Sequence, residues 1–260
     1  MTSPVTAVRD GPILEVTLDR PKANAIDAET SRALSETFVE FRDDPDLRVA
    51  IFTGAGDRFF SAGWDLTAAA AGEEYEADYG EGGFGGFGEL PDLNKPVICA
   101  VNGMAVGGGF EIVLAAHLVV AADTARFWLP EAGLGIIPDT GSIRLPRMIP
   151  QPLANEILLT GRRLDAAEAL ALNLVNRVVS GAELMDEARD LAHAVAASAP
   201  LAVAATLDID RRTAHLPLAE AFALLRSGSI ESYEQTLVSE DAAEGPVAFT
   251  EGRQPRWTGR

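Results

Sequence analysis

Lysine is nearly missing from this chain of 260 residues: it stands only at Lys22 and Lys95, and arginine carries the rest of the basic charge. That reads as a genomic bias in composition more than as chemistry. Basic residues number 21 against 39 acidic ones, a formal net charge of -18. Such a balance argues against nucleic acid as a partner, because phosphate binding rests on clustered Lys and Arg. It argues equally against an anionic membrane surface. Cysteine is scarcer still. Cys99 stands alone in the apolar run VICAV, so an internal disulfide is excluded, a buried and unreactive thiol is expected, and a reducing cytoplasm fits. His117, His193 and His215 show no metal-ligand spacing, so no metal is expected. His117 closes an apolar stretch and is expected to be capped or packed. The start, MTSPVTAVRD, lacks a basic segment followed by an apolar one, so no secretory signal is expected. No apolar run is long enough to span a bilayer. What remains is an ordinary apolar share of 47%, in a chain long enough for one large domain or a domain with an appendage.

The first half alternates between strand and helix patterns. Ile13–Leu18 alternates apolar and polar side chains and stops at Asp19-Arg20-Pro21. Asp27 is placed to cap a helix whose Leu34, Phe38 and Phe41 share a face. Residues 49–52, VAIF, form a buried strand closed by GAG. VICAV follows Lys95-Pro96 and is closed by Asn102-Gly103. A helix then runs from the glycines at 107–109 to about His117, and LVVAA and ARFWL read as two more strands. This order predicts an α/β fold with largely parallel strands. The second half predicts helices at 155–160, 165–172 and 182–197, with LVNRVV as a strand between the last two. Asp165 with Glu168, and Ser180 with Glu183, have capping-box spacing. Beyond Pro200 the chain reads as helical, which sets an expected boundary near residue 200. Residues 72–90, GEEYEADYGEGGFGGFGEL, follow neither period. A loop that long is either mobile or functional.

Three stretches carry candidate chemistry. In GGGFEIVLAA, from residue 107, a glutamate follows the glycines inside an apolar run, and a buried carboxylate needs a reason. Gly107, Gly108 and Gly109 allow a backbone or a ligand to approach closely. The unpaired N–H groups and dipole of a helix start favour an oxyanion there. Taken alone, the glycines read first as a tight turn packed on a strand. FFSAGWDL, residues 59–66, should sit at a strand end, where ligands of α/β folds gather; a loop with a packed Trp64 is the plain alternative. LPEAGLGIIPDTG, residues 129–141, puts Glu131 after a proline, as an active group or as an ordinary first-turn residue. Asp139 reads first as a turn residue of PDTG.

Taken in order, these stretches form a compound pattern: strand, FSAG-x-D, strand, NG-x-x-x-GGG-x-E, then PE twenty residues after the first glutamate. That pattern resembles the crotonase superfamily, the enoyl-CoA hydratase/isomerase family, from about residue 13 to the end. The resemblance implies a crotonase-like α/β spiral of repeated strand-strand-helix units over 1–200, holding the CoA and catalytic sites. It implies a helical oligomerisation region over 201–260 that builds trimers, often paired as hexamers. The substrate implied is an acyl-CoA thioester, with coenzyme A as part of the substrate and no prosthetic group. By motif position the amides of Trp64 and Gly108 fall where the family polarises the thioester carbonyl. Donors aimed at an oxygen that gains charge stabilise the transition state most. Glu111 and Glu131 match the two glutamates of the hydratases, the first handling water and the second the proton at Cα. Having both points to hydration or dehydration.

For CoA, the resemblance implicates Ala62, Gly63, Asp65 and Leu66, the flanking Gly107 and Gly109, and Lys22 and Ala23 along the CoA path. Arg58 is a phosphate candidate, and Arg253 and Arg256 are candidates toward a neighbouring subunit. DRPKANAIDAET, GAG-x-x-FFSAGWDL, LVNRVVS-x-AELMD-x-AR and SEDA-x-EGP-x-AF are similar to the branch of the family that dehydrates carnitinyl-CoA. That branch has a second glycine where Ser142 stands, and its loop is one residue longer. A trimethylammonium substrate prefers aromatic faces and nearby negative charge. Tyr75, Tyr79, Phe84 and Phe87, with Glu73, Glu74, Asp78 and Glu81, are therefore expected to form a lid that cages the cation. A general enoyl-CoA hydratase of fatty-acid or amino-acid breakdown is the alternative. A non-catalytic binding protein on this scaffold fits less well, given the acidic charge and the glutamate pair.

Overall fold

The computed structural model describes residues 3–260. Its chain begins with an antiparallel pair, β1 (Val5–Asp10) and β2 (Ile13–Leu18). Helix α1 (Ala28–Asp43) starts where the Asp27 side chain accepts the Thr30 amide, and it buries Leu34, Phe38 and Phe41 completely. A strand-strand-helix unit then repeats. The first is β3 (Val49–Gly54), β4 (Phe59–Ser61) and α2 (Leu66–Ala70). The second is β5 (Val97–Val101), β6 (Met104–Val106) and α3 (Gly108–Ala115). The third is β7 (Leu118–Ala122), β8 (Arg126–Trp128) and α4 (Glu131–Leu134). After them come α5 (Asp139–Met148), α6 (Gln151–Thr160), β9 (Leu164–Asp165), α7 (Ala166–Ala171), β10 (Arg177–Val179) and α8 (Leu184–Ala196). The chain ends in α9 (Pro200–Thr213), α10 (Leu218–Leu225), α11 (Glu231–Leu237) and α12 (Glu240–Glu251).

The first strand of each unit joins one sheet and the second strand joins another. The orders are β1-β2-β3-β5-β7-β10 and β4-β6-β8-β9. Only β1 with β2 and β8 with β9 pair antiparallel. This is the α/β fold with largely parallel strands that the alternating pattern predicts, in the spiral form that the family resemblance implies. The unbroken apolar runs of β3 and β5 follow from burial on both faces, as parallel strands require. One face meets Phe38, Phe60, Phe87 and Phe110. The other is covered by α8, whose Leu184, Ala188, Ala192 and Ala196 recur every fourth residue. Small side chains at that spacing let the helix lie close to the sheet.

Several local expectations change in the fold. Asp165 caps α7 by accepting the Glu168 amide at 2.8 Å, but the Glu168 carboxylate takes Arg162 at 2.7 Å instead of closing the box. The Ser180 hydroxyl donates to Glu183 at 2.6 Å, and the helix begins only at Leu184. In LVNRVV the paired strand is only Arg177–Val179; at Asn176 the amide donates to Val119 O at 2.9 Å and the side-chain oxygen takes the Val119 amide at 2.7 Å. Cys99 is fully buried, and burial pushes its thiol well above the usual range. His117 Nδ1 accepts the Val97 amide at 3.1 Å, which ties the ring to the start of β5. No single helix among the described residues is long and apolar enough to cross a membrane.

Candidate active site

Strands β4, β6 and β8 lie side by side and parallel, with Ser61 opposite Ala105 and Val106 opposite Trp128. Their C-terminal ends therefore stop together. The three strand-to-helix turns, at Ala62-Gly63-Trp64, Gly107-Gly108 and Pro130-Glu131, border one cavity of about 140 Å³. Segments far apart in the chain thus supply one wall each.

Two amides are left free in this wall, for different reasons. Ile26 donates to Gly63 O at 2.8 Å and accepts from the Asp65 amide at 2.9 Å. That bridge uses both neighbours of Trp64 and skips Trp64 itself. Gly108 is the first residue of α3 and has no helical acceptor. Neither amide donates to a carbonyl among the described residues. The two turns are pressed together: a Cβ on Gly63, which has φ +77°, would lie 2.6 Å from Gly108 N. A buried network fixes this approach. Ser61 Oγ donates to Asn24 O at 2.7 Å and accepts the Gly63 amide at 3.0 Å. Asn24 Nδ2 donates to Ala55 O and Phe59 O at 3.0 and 2.9 Å. Reading the sequence did not single out Asn24 or Ser61 as site residues. In the sequence the pair carries no signal beyond a polar Ser61 near a strand end; the left-handed Asn24, at φ +51°, is visible only in the fold.

The three glycines do three different things. Gly107 leaves room for Glu131, since a Cβ there would sit 2.6 Å from its Oε1. Gly108 presents its amide and carries the Phe84 ring, which a Cβ would meet at 2.4 Å. Gly109 faces away from the cavity and packs on β4, where a Cβ would lie 2.2 Å from Ser61 O.

Glu111 enters from the first turn of α3 and Glu131 from the first residue of α4; both are buried, at 8% and 6% exposure. Glu111 Oε1 accepts the Gly141 amide at 2.7 Å, while Glu131 Oε2 has no partner. Burial pushes the Glu111 carboxyl up to about 7; the Gly141 amide pulls it back, and Asp139 and Glu131 raise it further. Burial also lifts Glu131 to about 7, against its own amide and with help from Asp139. Near neutral pH the pair can therefore hold one proton between them, as acid–base work requires.

The same shifts make stability depend on pH. An unfolded carboxyl loses its proton near the ordinary glutamate value of 4.5, and the folded ones near 7. Between those values the unfolded chain holds fewer protons, so stability falls as pH rises through the window. Glu111→Gln and Glu131→Gln each remove that penalty. Each variant should exceed the parent by on the order of 1–3 kcal/mol at about pH 8, and lose the advantage near pH 4. Denaturant titrations across this range check the sign.

The other candidates divide. Ala62, Leu66, Tyr75, Tyr79 and Phe84 line the cavity. Phe87 does not: it is 3% exposed and packs in the core, 4.8 Å from Phe38, so it is no part of a lid. Asp65 is held as the cap of α2 and by Arg20 at 2.7 Å. Ala23 O accepts the Ala62 amide at 3.0 Å, which ties the exposed Lys22 beside this turn. Arg58 lies over the Phe59 ring, off the cavity. Arg253 is bound by Glu244 and Glu251. Asp139, read first as a turn residue, is the opening residue of α5 and lines the cavity. Among the described residues no group of three His, Cys, Asp or Glu is placed to hold a metal.

Comparison with known proteins places the chain by sequence and by fold. The family model described as enoyl-CoA hydratase/isomerase matches residues 9–260. The chain is 58% identical over 261 aligned residues to proteins named carnitinyl-CoA dehydratase from Citrobacter koseri and Salmonella agona, covering 100% of both chains in each case. Among solved structures, it is similar to an enoyl-CoA hydratase from Mycobacterium tuberculosis, 39% identical with a TM-score of 0.90 over 100% of both chains. An enoyl-CoA hydratase from Bacillus anthracis is 30% identical with a TM-score of 0.89, over 99% of this chain and 100% of that one. With its spiral of strand-strand-helix units and a family match over nearly its whole length, the chain belongs to the enoyl-CoA hydratase/isomerase family.

Proposed function

We propose that this protein removes water from carnitinyl-CoA to give crotonobetainyl-CoA, and adds it in reverse. One observation carries the chemistry: two buried carboxylates share a cavity with two unbonded amides. The full-length likeness to carnitinyl-CoA dehydratases supports the choice of acyl group.

The thioester oxygen accepts from the Trp64 and Gly108 amides. Ionised Glu131 takes the proton from Cα, and the electron pair moves onto that oxygen as an enolate. The pair then returns to form the Cα–Cβ double bond. The β-hydroxyl leaves with a proton from Glu111, as water. Glu131 ends protonated and Glu111 ionised. Passing one proton between two groups lifted to a similar value restores the start. Hydration runs the same steps backward, with Glu111 taking the proton of the attacking water.

Coenzyme A enters as part of the substrate, with main-chain groups of residues 62–66 near the adenine and Lys22 and Arg58 toward its phosphates. The helices beyond residue 200 expose Phe222, Val238 and Phe249 at 48%, 85% and 88%. Large apolar side chains left this open suit surfaces that a further subunit covers, and we assign them to a trimer or a dimer of trimers. Light scattering tests this: a mass near that of one 27.5 kDa chain counts against it. The acyl group is tested by kcat/KM for crotonobetainyl-CoA against crotonyl-CoA. Preference for the neutral substrate would discard the carnitinyl reading and leave a general enoyl-CoA hydratase in a reducing cytoplasm.

A further inference from the structure

The charge inside the cavity is all of one sign. Glu111, Glu131 and Asp139 line it, and no Lys, Arg or His does. Asp139 is in no ion pair among the described residues; its carboxylate accepts only the adjacent Thr140 amide, at 2.6 Å. Glu131 Oε2, buried beside it, is also without a partner. The remaining wall is aromatic. Trp64 and Tyr75 meet edge to face at 5.3 Å, and so do Tyr79 and Phe84.

The acidic residues of segment 72–90 do not supply this charge. Glu73 is bound to Trp64 Nε1 and to the Ala28 amide. Glu81 is paired with Arg42 and Asp78 with the Gly80 amide. None of these, nor Glu74, borders the cavity. The expected cage therefore changes its source of charge.

Acidic groups crowded in so small a space repel one another wherever two are ionised, and a cation among them relieves that repulsion while a neutral tail does not. Aromatic faces add attraction for a quaternary ammonium. We infer that Asp139, with the Trp64–Tyr75 and Tyr79–Phe84 pairs, recognises a quaternary ammonium on the acyl chain and so sets the preference for cationic over neutral substrates. This rests on the dehydratase reading above. In that substrate the original carboxylate is consumed in the thioester, so the acyl portion is purely cationic. Its ammonium sits one carbon beyond Cβ, close to the glutamates that act there. Asp139 is on the rim and exposed, where an ammonium can arrive without crossing the core.

The test compares crotonobetainyl-CoA with its neutral isostere, 5,5-dimethylhex-2-enoyl-CoA, in the parent and in Asp139→Asn. Asparagine keeps an acceptor for the Thr140 amide, and a thermal melt checks folding. The parent is expected to prefer the cation in kcat/KM, and Asp139→Asn to shrink that ratio by about tenfold or more, with Asp139→Glu recovering part of it. Binding of the saturated analogue 4-(trimethylammonio)butanoyl-CoA, which has neither a double bond to hydrate nor a β-hydroxyl to lose, should weaken in parallel, which keeps the test valid if turnover falls for another reason. A parent with no charge preference sinks the carnitinyl reading and this inference together. A parent preference that survives intact in Asp139→Asn, or equal losses on both substrates with unchanged analogue binding, overturns this inference alone.

Discussion

Glu131→Gln should lower turnover of crotonobetainyl-CoA by roughly 10²- to 10⁴-fold, the usual loss for a positioned acid or base. Glutamine has nearly the same shape, and Gly107 still leaves room for it, so KM should change little. Glu111→Gln should cause a loss of the same order. The two variants separate in a second measurement. Removing the α-proton needs Glu131 but not Glu111 in the proposed sequence of steps. In D₂O, the saturated analogue should therefore exchange its Cα hydrogens in the parent and in Glu111→Gln, but not in Glu131→Gln. The double variant should lose little more than either single one, since the residues act as a unit. Near-full turnover in both single variants would show that the cavity does other chemistry. Exchange persisting in Glu131→Gln while Glu111→Gln abolishes it would reverse the two roles.

Gly63→Ala should damage both catalysis and folding, although it adds one methyl group. Gly63 has φ +77°, and its new Cβ would lie 2.6 Å from Gly108 N and 2.7 Å from Val106 O. Both are backbone atoms of the adjoining turn, so no side chain can swing aside. The turns must separate, which moves the Trp64 and Gly108 amides apart. Losing one such donor typically costs about 10²- to 10³-fold in rate. Gly56→Ala is the control. It has φ +83° with nothing within 4 Å of the new Cβ. It should show only the backbone strain of a left-handed residue, on the order of 1–3 kcal/mol, with catalysis intact. If both variants lose activity equally, strain and not the approach of the turns is responsible. If Gly63→Ala keeps full activity, the two amides do not act together on the substrate.

Much of this molecule is legible one stretch at a time, because some physical requirements are local. β3 and β5 read as strands from their apolar runs, since both faces are buried. Asp27 reads as a cap because its partner is the Thr30 amide, three residues on. The family pattern is legible for a related reason: glycines that permit close contact and glutamates that must be carboxylates leave few substitutes at their positions. Short elements fail that test. β4, β6 and β9 are too brief to show a period, and pairing with neighbours distant in the chain defines them. The capping-box spacings mislead halfway, because Arg162 competes for Glu168 from outside the box.

The α/β repeat, the family, and the charged residues set in apolar surroundings can all be read along the chain. Which of those residues face one another follows from packing. Phe84 and Phe87 belong to one glycine-rich segment, yet one roofs the cavity and the other joins the core. Asp139 shares its wall with Glu111 and Glu131 because α5 begins where the turn after β8 returns. Periodicity and capping depend on atoms within a few residues, whereas a cavity is bounded by atoms that only the packing of three repeats brings within reach.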